Sequence, residues 1–132
     1  MPVPTYALTK NLPDVSFDDA LARVTEALKT EGFGVLTEID VKATLKKKLD
    51  VDFRRYTILG ACNPPLAHRS LQNELLIGLL LPCNVVVSDD EGQGSIVAIA
   101  NPKEMFKVVD NPELGSMVGE VDAKLRRVLE RV

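Results

Sequence analysis

Two thiols and one imidazole are the side chains of this sequence best suited to nucleophilic or metal chemistry. All three fall between Ile58 and Val87. Cys62 stands in Ala61-Cys62-Asn63, Cys83 in Pro82-Cys83-Asn84, and His68 lies six residues after the first cysteine. Cys62 is expected at the end of a strand, one residue before the N-cap of a helix. A helix N-terminus favours the thiolate, which is the nucleophile and the metal ligand. With His68 as base the pair would serve nucleophilic catalysis, and with Cys83 as resolving partner it would serve redox or sulfur-handling chemistry. The other reading of Cys62 is a small buried hydrophobe. Cys83 alternates with Leu81 and Val85, which directs it toward a core. Cys62, His68 and Cys83 are three soft ligands, but no pair has the close spacing of a zinc site, so no metal or cofactor is expected. Asn63 and Asn84 are candidate binding groups beside Cys62, with helix capping the preferred reading for Asn63. No C-x-x-C, G-x-S-x-G, P-loop or G-x-G-x-x-G is present to mark another enzyme class. The reading leans toward an interaction module rather than an enzyme.

Charge provides one further candidate. From Lys42 to Arg55, six basic side chains face two acidic ones, leaving +4 in a chain whose net charge is −3. Lys42, Lys46 and Lys48 are the candidate anion contacts, and a solvated helix face is the competing reading. The acidic balance makes nucleic acid an unfavoured partner. So do the scarce aromatics, four Phe, two Tyr and no Trp.

The elements that must position these residues follow from local signals. A chain of 132 residues, 45% hydrophobic and 27% charged, makes one folded domain with a core of its own. Met1–Pro4 reads as a tail, Thr5–Leu8 as a strand and Asn11–Asp14 as a turn. Ser16 caps a helix running to Glu31, with Phe17, Leu21, Val24 and Leu28 on one face and Gly32 just past its end. Phe33–Ile39 is a strand with Phe33, Val35 and Ile39 on one face. Asp40 caps a helix, Val41–Leu49, whose buried stripe would be Val41, Leu45 and Leu49. After a loop, Tyr56–Ala61 is a strand leading to Cys62. Asn63 caps a helix opened by Pro64 and Pro65 and broken near Asn73.

Leu79–Val87 reads as an apolar strand, with Pro82 at an edge, a bulge or the strand start. Ser88–Gly94 is a hairpin loop and Ser95–Ala100 the returning strand. Asn101-Pro102 and Asn111-Pro112 each start a helix; the second carries Leu114, Met117, Val118, Val121, Leu125, Val128 and Leu129. This order predicts an α+β fold: an antiparallel or mixed sheet of about five strands with helices packed on one face. The second face would carry Leu80, Val86, Ile96 and Ala98. Such a face calls for a homodimer partner or a small-molecule ligand groove. The run Leu75–Leu81, seven residues long, is far short of the about 20 that cross a bilayer. No secretory leader opens the chain, and two cysteines make no disulfide framework, so a reducing, cytoplasmic location with free thiols is expected.

Three pieces carry a family resemblance. They are Gly32-Phe33-Gly34-Val35-Leu36 with Glu38-Ile39-Asp40, Leu59-Gly60-Ala61-Cys62-Asn63-Pro64, and Leu81-Pro82-Cys83-Asn84-Val85. Together they resemble the bacterial and archaeal family catalogued as domain of unknown function 302, over nearly the whole chain. The resemblance implies a β-α-β4-α sandwich similar to the TATA-binding-protein-like class, and dimers. It brings no activity and no catalytic residues. Fold likeness alone does not imply DNA binding.

Overall fold

The computed structural model describes residues 2–132; Met1, the start of the expected tail, lies outside the described residues. Five strands form one antiparallel sheet in the order β1-β5-β4-β3-β2. They are β1 (Ala7–Leu12), β2 (Gly34–Asp40), β3 (Tyr56–Cys62), β4 (Cys83–Asp89) and β5 (Ser95–Ala100). β1 and β2 are therefore the two edges. The helix α1 (Phe17–Thr30) joins them and packs on β2, β4 and β5. The C-terminal helix α5 (Gly115–Arg131) lies beside α1 and reaches β1 and β5. α2 (Val41–Leu49) and α3 (Pro64–Asn73) are inserted before β3 and after it, and α4 (Pro102–Met105) follows β5. The architecture is the expected α+β sheet with helices on one face, and every strand pairing is antiparallel rather than mixed.

The alternation of strand residues decides which face is which. Leu59, Val85, Val87, Val97 and Ile99 are buried against Val24 and Leu28 of α1 and Leu125 and Val128 of α5. At about 1.5–3 kcal/mol for each fully buried apolar side chain, this layer is the main source of stability. A second, smaller cluster joins Leu66 of α3, Ile77, Leu114 and Met117 beyond the end of the sheet.

Several local expectations change. β1 runs on to Leu12, because Asn11 and Leu12 pair with Ile96 and Ser95 instead of turning. A bulge between Val35 and Thr37 inserts Leu36 into β2. It moves Ile39 to the face opposite Val35, since one extra residue flips everything after it. Asp40 does cap α2, accepting from the Ala43 N–H at 2.9 Å. Yet no residue of α2 is buried: Val41 and Leu45 are half-covered and Leu49 is exposed, because α2 packs chiefly on β2 and β3. The expected strand Leu79–Val87 begins only at Cys83. Leu75–Leu80 is instead a 3-10 turn that sends Ile77 inward and leaves Leu75, Leu76 and Leu79 bare. Leu80 thus belongs to no sheet face. The last helix is preceded by a 3-10 turn, Pro112–Leu114.

Long-range polar contacts fasten the helices. Lys10 of β1 donates to the backbone oxygens of Leu129 at 3.2 Å and Val132 at 2.9 Å, placing a cation at the C-terminal end of α5. Asp122 of α5 is buried, accepts from Arg126 Nε at 2.9 Å and faces Lys103 Nζ at 3.7 Å, which ties α4 to α5. Glu31, at the end of α1, takes Arg127 and Arg131 of α5, each at 2.9 Å. The hydrogen bond from Arg127 and the charges around it hold the Glu31 carboxyl below the usual carboxylate range. A carboxylate depressed in the folded state adds stability above its unfolded pKa and loses it as pH falls through the folded value. The Glu31→Gln variant is therefore expected to melt below the parent at neutral pH. The two melting curves should converge as pH drops below the carboxylate range, as a pH series of thermal melts would show.

Candidate functional site

The register of β3 and β4 sends the two thiols to opposite faces. Ala61 pairs with Cys83, so Cys83 shares the helix-packed face and packs on the main core. Cys62, one residue on, shares the open face with Gly60 and Ile58. Side chains leaving opposite faces of neighbouring strands are not aimed at one another, and both cysteines are free thiols. Burial first, and the neighbouring Cys62 second, push the Cys83 thiol up to about 11. At neutral pH Cys83 is a protonated thiol.

The helix end next to Cys62 has no donor to spare. Pro64 and Pro65 occupy the first two helical positions and carry no N–H. The third position, Leu66, gives its N–H to Asn63 Oδ1 at 3.4 Å, and Ala67 N–H returns to the Asn63 carbonyl at 2.9 Å. The unpaired N–H groups that would favour a thiolate are thus absent or taken. His68 sits on the exposed surface of α3. Among the described residues no group of three His, Cys, Asp or Glu side chains is placed to hold a metal.

Asn63 is almost fully buried and works in two directions. Besides capping α3, its Nδ2 donates to the Glu31 carbonyl at 3.2 Å. That carbonyl precedes Gly32, whose φ of +83° turns the chain out of α1. A Cβ on Gly32 would sit 3.1 Å from the same amide nitrogen. Asn63 therefore fastens the exit of α1 to the entry of α3, a pairing 32 residues apart that cap chemistry alone does not reveal. Replacing Asn63 with Ala removes the cap and leaves the Glu31 carbonyl short of a partner. The expected loss is about 2 kcal/mol, read as a lower urea midpoint at unchanged slope.

The second Cys-Asn piece is built around Gly60. An added Cβ there would meet Pro82 Cγ at 2.8 Å and Thr37 Oγ1 closer still. Gly60 is thus the floor on which Pro82 and Thr37 meet, and Leu81-Pro82 is a cis peptide. Asn84, opposite Gly60 in the register, is exposed on the open face. It borders a groove of about 140 Å³ lined by Leu79–Asn84, Ala100, Pro102, Met105 and Phe106. Neither Thr37 nor Gly60 stood out as a candidate, because their meeting depends on the β2 bulge and on strand register.

The basic segment is largely engaged with its own chain. Lys42 donates to the Phe53 carbonyl at 2.7 Å, and Lys46 pairs with Asp50 at 2.9 Å and Asp52 at 3.7 Å. Arg54 meets Glu91, and Arg55 meets Asp18 at 2.6 Å while lying over the Phe17 ring. The hydrogen bond from Arg55 holds the Asp18 carboxyl below its ordinary range. Lys48 projects from α2 into solvent.

The face turned away from α1 and α5 lies outside the main core. Ile39, Ile58, Val86 and Ala98 form a continuous apolar row across four strands, since each is the register partner of the next. Thr9 extends the row onto β1. Thr37 and Asn84 on one side and Asn11 on the other give it a polar border. Among the described residues no helix is long and apolar enough to cross a membrane.

No curated protein matches the chain. Among solved structures it is similar to the crystal structure of an uncharacterized conserved protein DUF302 from Bacillus stearothermophilus. The sequence identity is 30% and the TM-score 0.87, over 97% of this chain and 98% of that one. The family described as Domain of unknown function DUF302 matches residues 8–132. The three sequence pieces, the five-stranded antiparallel sheet and these two matches agree: the chain belongs to the family Domain of unknown function DUF302.

Proposed function

We propose that this protein is a small interaction module that works as a homodimer, with the sheet face turned away from α1 and α5 as its contact surface. The observation that carries the reading is the apolar row Ile39–Ile58–Val86–Ala98 on the face turned away from α1 and α5. A sheet buries its apolar face against another layer, and a self-complementary surface closes most simply as a two-fold dimer. A polar border around an apolar centre is the ordinary anatomy of an interface. The dimers implied by the family resemblance agree with this assignment.

Thiol chemistry fits less well. Cys83 is protonated at neutral pH, the α3 donors beside Cys62 are occupied, and the two side chains diverge. Anion binding at Lys42, Lys46 and Lys48 would compete with contacts that two of the three already make. Sedimentation equilibrium of the native chain beside a variant charged at the centre of the row tests the dimer. Association in the first and its loss in the second are expected; a native chain that stays monomeric would refute the reading.

A further inference from the structure

The sheet face alone is small for a stable dimer. Five strands of six or seven residues, at spacings of about 4.8 Å and 3.3 Å, make a face of roughly 24 by 20 Å, or about 480 Å². A stable interface takes about 800 Å² from each partner. Beside this face lies a cluster of exposed leucines. Leu75, Leu76 and Leu79 of the 3-10 turn are 80%, 73% and 85% exposed. At about 100 Å² of apolar surface each, they supply roughly the missing area. The two surfaces are continuous, because Asn84 and Ala100 belong both to the open face and to the groove that Leu79 borders. The groove, at about 140 Å³, is near the size of the engineered cavity of about 150 Å³ that accepts a benzene ring. It suits one branched aliphatic side chain, whereas pockets for larger ligands run to about 300–1,000 Å³.

We infer that the occupant of this groove is Leu79 of a second copy of the chain. The inference rests on the dimer reading above and names how the dimer is locked. Knob and hole are adjacent on one protomer, so a two-fold axis passing beside Leu79 exchanges them reciprocally: each Leu79 enters the partner's groove between Pro82 and Phe106. Cys83 lies on the wall of that groove and is covered when the knob is in place. This gives the Leu81-Pro82-Cys83-Asn84 piece a second task. Pro82 seats on Gly60 within the protomer, and its outer side receives the partner.

The test uses the full-length chain with Leu79→Asp, and with Leu79→Ser as a milder variant. Leu79 is bare in the protomer, so neither change removes packing from the fold; far-UV circular dichroism checks this. Sedimentation equilibrium is expected to show a dimer dissociation constant raised at least tenfold in both. In a Cys62→Ser background, iodoacetamide labelling of Cys83 is expected to speed up severalfold when Leu79→Ser is added. If both Leu79 variants associate as tightly as the native chain and Cys83 labels at an unchanged rate, the leucine exchange is wrong. The sheet-face dimer then stands or falls separately, on whether Val86→Lys dissociates it. A native chain that is monomeric overturns both.

Discussion

The Val86→Lys variant is expected to be a folded monomer under conditions where the native chain is a dimer. Val86 lies on β4, the central strand, between Ile58 and Ala98 in the register. It is half-buried within the protomer and faces away from the helices. In a single chain a lysine there can lay its stem along the sheet and keep its ammonium in water, so the fold tolerates it at a cost of about 1 kcal/mol in strand preference. In a two-fold dimer the same change places two ammonium groups near the axis, with no carboxylate on the apolar row to meet them. Burying unpaired charge disfavours association by several kcal/mol after relaxation. A dissociation constant raised by at least about 100-fold is the expected result, equivalent to about 3 kcal/mol. Circular dichroism and urea unfolding would report a retained fold, which separates a lost interface from a lost structure.

The second large effect is at Gly60. Replacement by Val is expected to cost about 3 kcal/mol or more, chiefly through overpacking. The added Cβ would overlap Thr37 Oγ1 and stand 2.8 Å from Pro82 Cγ. The threonine hydroxyl can rotate away, but the proline ring is held by the chain on both sides. The two neighbours can therefore be told apart. The Gly60→Ala change should cost about 2 kcal/mol, and combining it with Thr37→Ala should recover part of that loss but not all, a coupling read by a double-mutant cycle. A Gly60→Val chain with native stability would mean that Pro82 and Thr37 do not close over this position.

These two sites show what was legible in the sequence. The helix starts at Ser16, Asp40 and Asn63 are legible, because a cap is a local contact between one side chain and N–H groups two or three residues on. The hairpin expected at Ser88–Gly94 is legible for the same reason, with positive φ at Gly92 and Gly94, although β4 runs on through Asp89 and shortens its loop. Misreadings arose where the deciding contact is distant or where composition is ambiguous. Leu75–Leu81 is apolar throughout, and an apolar run without periodicity does not distinguish a strand from a turn of helix. Ile77, Leu80 and Leu81 found apolar neighbours, whereas Leu75, Leu76 and Leu79 stayed outside. Regular alternation over Phe33–Ile39 leaves no room for an inserted Leu36, and a bulge that flips Ile39 to the open face has no marker in one sequence. The α2 stripe was periodic, yet no layer packs over α2.

The site residues divide in the same way. Cys62 stands where its sequence context predicts, at the end of a strand before an N-cap. What it meets there was also in the sequence, since Pro64 and Pro65 remove two donors and Asn63 takes the third. The reach of Asn63 to the Glu31 carbonyl, the meeting of Pro82 with Gly60, and the hold of Lys10 on the end of α5 span 22 to 122 positions. Such contacts follow from register and packing, which a single sequence does not display. Two signature pieces that looked like a chemical site thus serve to position the fold: Asn63 joins two helix ends, and Pro82 covers Gly60 beside the open face.

Two copies of this protein are proposed to meet at the sheet face turned away from α1 and α5. Sedimentation equilibrium of the native chain at micromolar concentration tests it most directly. The account predicts a single species of twice the chain mass, dissociating to a folded monomer in Val86→Lys. A native chain sedimenting at the monomer mass throughout that range would contradict it.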